Sequence, residues 1–384
     1  MSLPNVYIEL VRNGLGLVVE TNDNTCGLIL TGKAVAGKLE LGKPYSIYST
    51  DGAKDLGIDP DGDNAPAYRH VSEFYAVAGN GAKLWIMVEP VATKLAEMVD
   101  MDLTPCPARV LLNKAGGEIV ALGITSQADA GTTVDGLDSE VYAAMLNGQL
   151  LADEYMAKIM PFVCIIEGRK MTDADSLRNL KTETKYRQAI VLASSTADGS
   201  ASVGLVLGQI AALPVQRKIS RVKNGSLPIT DGYLTDGTAI EEREDLDTIH
   251  DKRFIVLRKF PNRSGYFFNG DMTATAETDG LNIIARIRTI DKATKIAYNT
   301  YIEELDDDVE VNDDGTLNQA VAAYLKQKIE KQVNGAMAGE MSKFTATVDT
   351  SIDIVSGADQ VIYLDIVPRG YLTNIRVVLG FKNE

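Results

Sequence analysis

Short runs of consecutive apolar residues that alternate with helical patterns constrain this chain most. Residues 162–166 read Phe-Val-Cys-Ile-Ile, and residues 189–193 read Ala-Ile-Val-Leu-Ala. Such runs are typical of strands buried on both faces of a sheet. Residues 138–160 and 200–213 have helical spacing, the first with Asp138 or Ser139 as a cap and the second followed by Pro214. This alternation predicts an α/β layer with at least some parallel pairing.

The remaining elements are less regular. A helix is predicted to open at Thr316, where Thr316 and Gln319 fit a capping box and Leu317, Val321, Leu325, Ile329 and Val333 form an apolar stripe. Further helical patterns occur at 71–78 and 281–305, and residues 172–175 resemble a capped helix start. Strands are predicted at 26–30, 83–88, 109–112, 118–124, 254–257, 347–355, 361–367 and 372–381.

Both ends of the chain are rich in β-forming residues. Val6, Tyr7, Ile8 and Leu10 precede Asn13-Gly14, a pair that predicts a hairpin or, alternatively, a hinge. At the other end, apolar residues alternate with polar ones, at Ile375, Val377, Leu379 and Phe381. Bare edge strands invite pairing with other chains. Two hypotheses stay open: the terminal strands pair within their own domain, or they are exchanged between subunits.

Composition excludes several classes of protein. The 384 residues include 38 Lys and Arg against 53 Asp and Glu, a formal net charge of −15, which disfavours a coat for nucleic acid or an anionic membrane. No apolar run approaches the roughly 20 residues of a membrane-spanning helix, and the first residues do not resemble a secretion signal, so we expect synthesis in the cytoplasm without membrane insertion. Three dispersed cysteines and two histidines fit neither a disulfide framework nor a three-histidine metal site.

Several local patterns are candidate sites. Residues 27–34 nearly spell a phosphate-binding loop, although Ala34 lacks the required hydroxyl and a buried strand with a Gly turn is the alternative. Asp59, Asp61 and Asp63 have the first spacings of a calcium loop, as do Glu310, Asn312 and Asp314, but both patterns fail at the twelfth position. Lys326, Lys328 and Lys331 indicate either a solvated helix face or docking to an acidic partner. A Ser or Cys nucleophile would have to use His70 or His250.

A succession of loose patterns resembles the phage-type contractile tail sheath proteins. Residues 4–9, Pro-Asn-Val-Tyr-Ile-Glu, are similar to that family's opening segment, and residues 26–32 resemble its first core strand and turn. Residues 43–57 and 71–86 resemble its next strand and helix passages, and the C-terminal helices and strands follow its order. Residues 265–273 depart from the family pattern, lacking its Arg and its Val-Trp pair, and Asn5 replaces an early Gly. The resemblance is therefore to a divergent, compact member.

The resemblance implies a mixed α+β and α/β multi-domain fold. It divides the chain into an N-terminal arm (1–20), an outer α/β domain (21–260, with a subdivision near 95–108 left open), an inner α+β domain (261–370) and a C-terminal arm strand (371–384). The terminal arms would add strands to sheets of neighbouring subunits, with flexible links at Asn13-Gly14, Gly16 and Pro368-Arg369-Gly370. The lysine-bearing helix that opens at Thr316 is predicted to face a tail tube.

The function that the resemblance implies is structural. Sheath subunits form stacked hexameric rings around a tube, in contact with baseplate and terminator proteins, in a virion tail or a phage-derived particle assembled in the bacterial cytoplasm. The family has no catalytic residues and no cofactor, so we expect neither an enzyme nor a metal site. The competing interpretations are an α/β enzyme or nucleotide-binding protein that uses the turn at 27–34, and a generic self-assembling shell protein.

Overall fold

A computed structural model describes residues 23–128 and 131–380. The predicted arm residues Val6, Tyr7, Ile8 and Leu10, the Asn13-Gly14 link, and Phe381 lie outside these described residues. The helices of the described chain are α1 (Thr50–Asp55), α2 (Ala65–Ala78), α3 (Pro107–Ala115), α4 (Ser139–Ala157), α5 (Val203–Ala212), α6 (Leu246–Asp251), α7 (Ile284–Tyr301) and α8 (Gln319–Ala336). Its strands are β1 (Cys26–Gly32), β2 (Pro44–Ile47), β3 (Leu84–Pro90), β4 (Ala121–Ile124), β5 (Thr133–Val134), β6 (Leu137–Asp138), β7 (Val163–Glu167), β8 (Thr184–Lys185), β9 (Gln188–Val191), β10 (Ala193–Ser194), β11 (Tyr233–Leu234), β12 (Leu257–Phe260), β13 (Arg263–Phe268), β14 (Ala274–Thr275), β15 (Met341–Val348) and β16 (Ile362–Pro368).

A six-stranded sheet organises the first two thirds of the chain, in the order β2-β3-β1-β4-β7-β9. Strands β3, β1, β4, β7 and β9 pair in parallel, and β2 is antiparallel at one edge. Every residue of β1, β4, β7 and β9 is buried, as expected for a sheet covered on both faces. The predicted α/β layer with parallel pairing is confirmed.

Helices cover the two faces of this sheet. Helices α3 and α4 follow β3 and β4 and pack on one face, and α2 and α5 pack together on the other. The contact between α2 and α5 depends on glycine, because a Cβ on Gly204 would lie 2.1 Å from the backbone oxygen of His70. A Cβ on Gly208, one turn later, would lie 2.8 Å from the backbone oxygen of Phe74. The two helix backbones therefore approach more closely than any larger residue allows.

A second hydrophobic core lies in the last third of the chain. It contains Ile296 of α7, Ile329 and Val333 of α8, and Phe344 of β15, while Ile284 and Ile287 at the start of α7 belong to the first core. Strands β15 and β16 form an antiparallel hairpin against α8. Helix α7 therefore connects the two cores.

Several local predictions were wrong. Residues 109–112 lie in helix α3, because Pro107 begins a helix and Gly116 ends it in a left-handed conformation. The capping box at Thr316 does not form: Thr316 bonds to Asp314, and the Asn318 side chain caps α8 instead. Residues 172–175 begin no helix, and the strand predicted at 347–355 is β15, shifted toward the N-terminus.

Candidate functional site: the C-terminal segment and its surroundings

The C-terminal segment, residues 372–380, carries apolar side chains into solvent. Leu372 is 87% exposed, Ile375 74%, Val377 79% and Leu379 94%. The predicted strand at 372–381 is not formed as far as Gly380, the last residue described, since no ladder includes these residues. An alternating β-forming segment without a partner in its own described chain has the composition of a strand that pairs elsewhere.

The C-terminal segment starts from a fixed point. The Tyr371 hydroxyl donates to the backbone oxygen of Gln216 at 2.7 Å, and the Lys218 ammonium lies 5.1 Å from the centre of the Tyr371 ring. Arg369 Nε donates to the oxygen of Gly339 at 3.1 Å. Burial raises the pKa of Tyr371 to about 12, so the hydroxyl keeps its proton for this bond at neutral pH. The free part of the chain therefore begins after Tyr371, beyond the predicted link at 368–370.

The hairpin of β15 and β16 presents unpaired strand edges. The sheet has two strands in the described chain, so each strand has one edge without a ladder partner there. Tyr363 is 55% and Val367 49% exposed on β16. A two-stranded hairpin is marginal by itself, and a third strand would add a full set of main-chain hydrogen bonds.

The three lysines of α8 do not share one face. The side chain of Lys328 is held by Glu304, with Glu303 at 3.8 Å, on one flank of the helix. Lys326 lies on the other flank, 3.9 Å from Glu330. At 100° per residue, Lys331 lies opposite the buried residues Leu325, Ile329 and Val333, at the centre of the outward face. Of the three, Lys331 is therefore the lysine directed most squarely away from the core.

The candidate phosphate loop at 27–34 is a strand. Residues 26–32 form the fully buried β1, and the ammonium of Lys33 pairs with Asp63 at 2.9 Å. A Cβ on Gly32 would lie 2.4 Å from the side-chain oxygen of Asn64, so this glycine allows a close contact within the fold. The backbone N–H groups of β1 are used in the sheet, and the turn does not form the inward-facing cradle that binds phosphate.

The acidic loops do not converge into a metal site. Within 23–128 and 131–380 there is no group of three or more His, Cys, Asp or Glu residues placed to hold a metal ion. Asp63 is paired with Lys33, and Asp314 accepts hydrogen bonds from the backbone and hydroxyl of Thr316. These acidic side chains satisfy local donors.

Among the residues that the structure describes, neither histidine bonds to a Ser or Cys side chain. Glu73 accepts hydrogen bonds from both Ser195 and Ser202 at 2.7 Å, while His70 Nδ1 lies 3.7 Å from the other oxygen of Glu73. The serines therefore bond to a carboxylate and not to the imidazole. His250 contacts the Asn269 amide at 3.0 Å. The three cysteines are free and buried, and burial raises the pKa of Cys26 and Cys164 to about 12, so these two remain unreactive thiols.

The sequence analysis missed a buried polar seam between α7 and the first core. The Arg187 guanidinium, which is fully buried, forms two hydrogen bonds to Asp291, at 2.7 and 2.9 Å. The Lys292 ammonium pairs with Asp23 at 2.6 Å and with Glu340 at 2.8 Å, and Arg288 donates to the oxygen of Leu213. Charged residues at 288, 291 and 292 interrupt the apolar pattern of this helix, which was the available signal.

Family models match nearly the whole chain. The model described as "DUF2586, N-terminal domain" matches residues 3–272, and "DUF2586, C-terminal domain" matches residues 282–384. The chain belongs to the DUF2586 family. Among curated proteins, no sequence relative of this DUF2586 chain is found.

Solved structures with the same fold as the DUF2586 chain include sheath proteins of contractile particles. The helical sheath of the anti-feeding prophage in its contracted state is 14% identical over 100% of both chains, with a TM-score of 0.64. A sheath complex of an extracellular contractile injection system, also contracted, is 12% identical over 100% of this chain and 98% of the other, with a TM-score of 0.59. A sheath tail protein from Listeria innocua is 10% identical over 93% and 96%, with a TM-score of 0.51. The predicted resemblance to contractile tail sheath proteins is confirmed at the level of the fold.

No helix of the described residues is both long and apolar enough to cross a membrane.

Proposed function

We propose that this protein is the structural subunit of a contractile tail sheath, which polymerises around a tail tube and shortens to drive the tube through a cell envelope. The observation that carries the proposal is the C-terminal segment, whose apolar side chains are exposed beyond a fixed root at Tyr371. The shared fold with sheath proteins supports the same function. The role is mechanical, and the chain works without catalytic residues or a cofactor.

The C-terminal segment donates a strand to a neighbouring subunit. The unpaired edges of the β15 and β16 hairpin are suitable acceptors, since both strands are long enough to pair with residues 372–380. Main-chain hydrogen bonds provide affinity, and pockets for alternate side chains provide specificity. Ile375, Val377, Leu379 and Phe381 supply those side chains.

The N-terminal arm, residues 1–20, makes a second connection in the same manner through Val6, Tyr7, Ile8 and Leu10. Two strand connections per subunit would join stacked rings into a mesh. The links flex while the hydrogen bonds persist, so subunits rotate without dissociating. Contraction then needs no bound fuel, provided that the extended lattice is metastable and the contracted lattice buries more surface.

Helix α8 faces the tail tube in this proposal. Lys331, at the centre of its outward face, makes the main contact with an acidic tube surface, and Lys326 contributes from the flank. Lys328 keeps the acidic residues Glu303 and Glu304 against the helix. The inner domain (261–370) thus lies against the tube and the outer domain (21–260) away from it, with baseplate and terminator proteins at the ends of a virion tail or phage-derived particle that is assembled in the host cytoplasm.

Strand donation is testable with a peptide. A fluorescent peptide of residues 372–384 should bind saturably to the chain truncated after Tyr371, as measured by fluorescence anisotropy. A peptide with Val377→Pro should bind at least about tenfold more weakly, because proline removes a backbone donor from the ladder. The matched Asn374→Ser peptide should bind like the native one. Equal binding of the Val377→Pro peptide, or no binding of the native peptide, would contradict strand donation.

A further inference from the structure

A cavity lies at the carboxyl ends of three neighbouring parallel strands. It has a volume of about 260 Å³ and is lined by Thr31 near the end of β1, Ser126 after β4 and Glu167 at the end of β7, together with Arg69 of α2 and Arg169. The next parallel strand after β1 is β3, which lies beside β1 on one side of the sheet. The next parallel strand after β4 is β7, which lies beside β4 on the other side. Strand order therefore reverses between β1 and β4, and crevices at such a point are where open α/β sheets bind ligands.

Arg169 has buried hydrogen-bond donors without an acceptor beside this cavity. Its side chain belongs to a residue only 8% exposed, and its Nε and Nη1 atoms have no hydrogen-bond acceptor. No carboxylate of the described residues forms an ion pair with it. Buried charges are ordinarily paired, because an isolated one costs several kcal/mol of desolvation. Glu167 attracts Arg169 through space, and this attraction opposes the rise that burial causes in the pKa of Glu167, but it leaves the two guanidinium donors without an acceptor among the described residues.

The acidic groups around the cavity are already engaged. The two oxygens of Glu167 accept the backbone N–H groups of Ser126 at 2.9 Å and of Ala201 at 3.2 Å. Asp198 accepts from Ser200 and lies 3.5 Å from Arg69. Neither carboxylate bonds to Arg169, so an acceptor for its two free donors must come from outside the described residues.

We propose that this cavity binds a small oxyanion, a phosphate or a carboxylate, against the guanidinium of Arg169. The planar guanidinium matches the paired oxygens of such anions, and Arg69, which also lines the cavity, contributes a second positive charge. The volume suits a small ion with a few waters and is below the range of about 300–1,000 Å³ usual for larger organic ligands. The site does not use the turn at 27–34, and the proposal is independent of the sheath function.

The test uses the full-length chain, kept below the concentration at which it polymerises. Titration with inorganic phosphate, sodium sulfate or sodium acetate, each at matched ionic strength, is followed by calorimetry and by the melting temperature. We expect saturable binding of one anion per chain and a melting temperature that rises with its concentration, since a ligand of the folded state stabilises by mass action. The three salts distinguish phosphate-like from carboxylate ligands.

Variants locate the site. Arg169→Gln should weaken binding at least about tenfold, and Arg169→Lys less, because lysine keeps the charge and loses the planar fork. The rise in melting temperature with anion should be lost in Arg169→Gln, whatever the melting temperature of this variant in anion-free buffer, because the variant lacks the donors that hold the ligand. Ser200→Glu, on a partly exposed residue of the cavity, supplies a carboxylate in place of the anion and should also weaken binding about tenfold or more. Arg263→Gln, an exposed arginine on β13, is the matched control and should bind normally.

Three outcomes would overturn the proposal. These are no saturable binding of any of the three anions, equal binding by the native chain and Arg169→Gln, or an equal rise in melting temperature with anion for these two proteins.

Discussion

At the scale of single residues, buried charges decide how firmly the two cores are joined. Arg187 precedes β9 and Asp291 lies on α7, so their ion pair links the central sheet to the helix that enters the second core. Lys292 adds bonds to residues on both sides of the seam. Buried pairs of this kind contribute little net stability compared with apolar residues, but they are costly to break singly.

Replacing one partner of this pair should therefore be strongly destabilising. We expect Arg187→Met or Asp291→Leu alone to lower the free energy of unfolding by about 3–5 kcal/mol, because each leaves the other charge buried without a partner. The double variant should recover most of the loss. Lys259→Met removes the exposed pair with Glu241 and serves as control, with an effect below about 1 kcal/mol. Urea unfolding measures all four; single variants within about 1 kcal/mol of the native chain would contradict the importance of the seam.

His70 gives a pH dependence with a defined sign. Burial and then the neighbouring Arg69 hold the pKa of His70 well below 6.5 in the folded state, while Asp198 acts in the opposite direction. The unfolded chain takes up this proton as pH falls below 6.5 and the folded chain does not, so stability falls as the solution is acidified. His70→Gln should remove this contribution, making the fall between pH 7 and pH 5 shallower by up to about 1.4 kcal/mol per pH unit.

Glu73 gives a pH dependence of stability with the opposite sign and serves as a control. Burial raises the pKa of Glu73, so the folded state holds its proton more tightly and stability falls as pH rises above the ordinary value of 4.5. Glu73→Gln should remove that fall, whereas His70→Gln should remove the loss on acidification. A His70→Gln variant whose unfolding curve keeps the native pH dependence would show that His70 protonates equally in both states.

At the scale of elements, the packing of α5 on α2 is set by two glycines. Gly204→Ala should lower the free energy of unfolding by about 1–3 kcal/mol or more, because its Cβ meets the backbone of His70 and not a flexible side chain. Gly335→Ala is the matched control: it lies in α8 with no atom within 4 Å of an added Cβ, and should stabilise by about 0.5–1 kcal/mol. Thermal or urea unfolding of both variants separates packing from helix propensity. Equal effects of the two substitutions would contradict the close approach of the helices.

The same elements indicate what the sequence allows one to predict. The continuous apolar runs at 162–166 and 189–193 predicted strands that are covered on both faces. The fully buried strands β7 and β9 confirm this prediction. Residues 109–112 were ambiguous, because four residues with apolar members fit a strand or a helix and Pro107 with Gly116 decided between them. Neither the unfilled donors of Arg169 nor the seam at Asp291 can be predicted from sequence spacing, since both depend on which distant residues the fold brings together.

At the scale of the whole molecule, two packed cores end in a segment that the described fold does not use. The alternation of Ile375, Val377 and Leu379 predicted a strand, and the exposure of these side chains means that any partner strand must be sought outside the described chain. Each subunit carries a formal charge of −15, so assembly brings like charges together. Salt screens this repulsion over about 10 Å at 0.1 M, and polymerisation should increase with ionic strength.

Electron microscopy of the purified protein tests the sheath account most directly. The full-length chain and the chain truncated after Tyr371 are compared in negative stain at rising protein and salt concentration, with circular dichroism to establish that both are folded. We expect the full-length chain to form hollow tubes with a helical repeat and the truncated chain to remain a folded monomer. Tubes formed equally by the truncated chain, or a full-length chain that stays monomeric under every condition, would contradict assembly through the C-terminal segment.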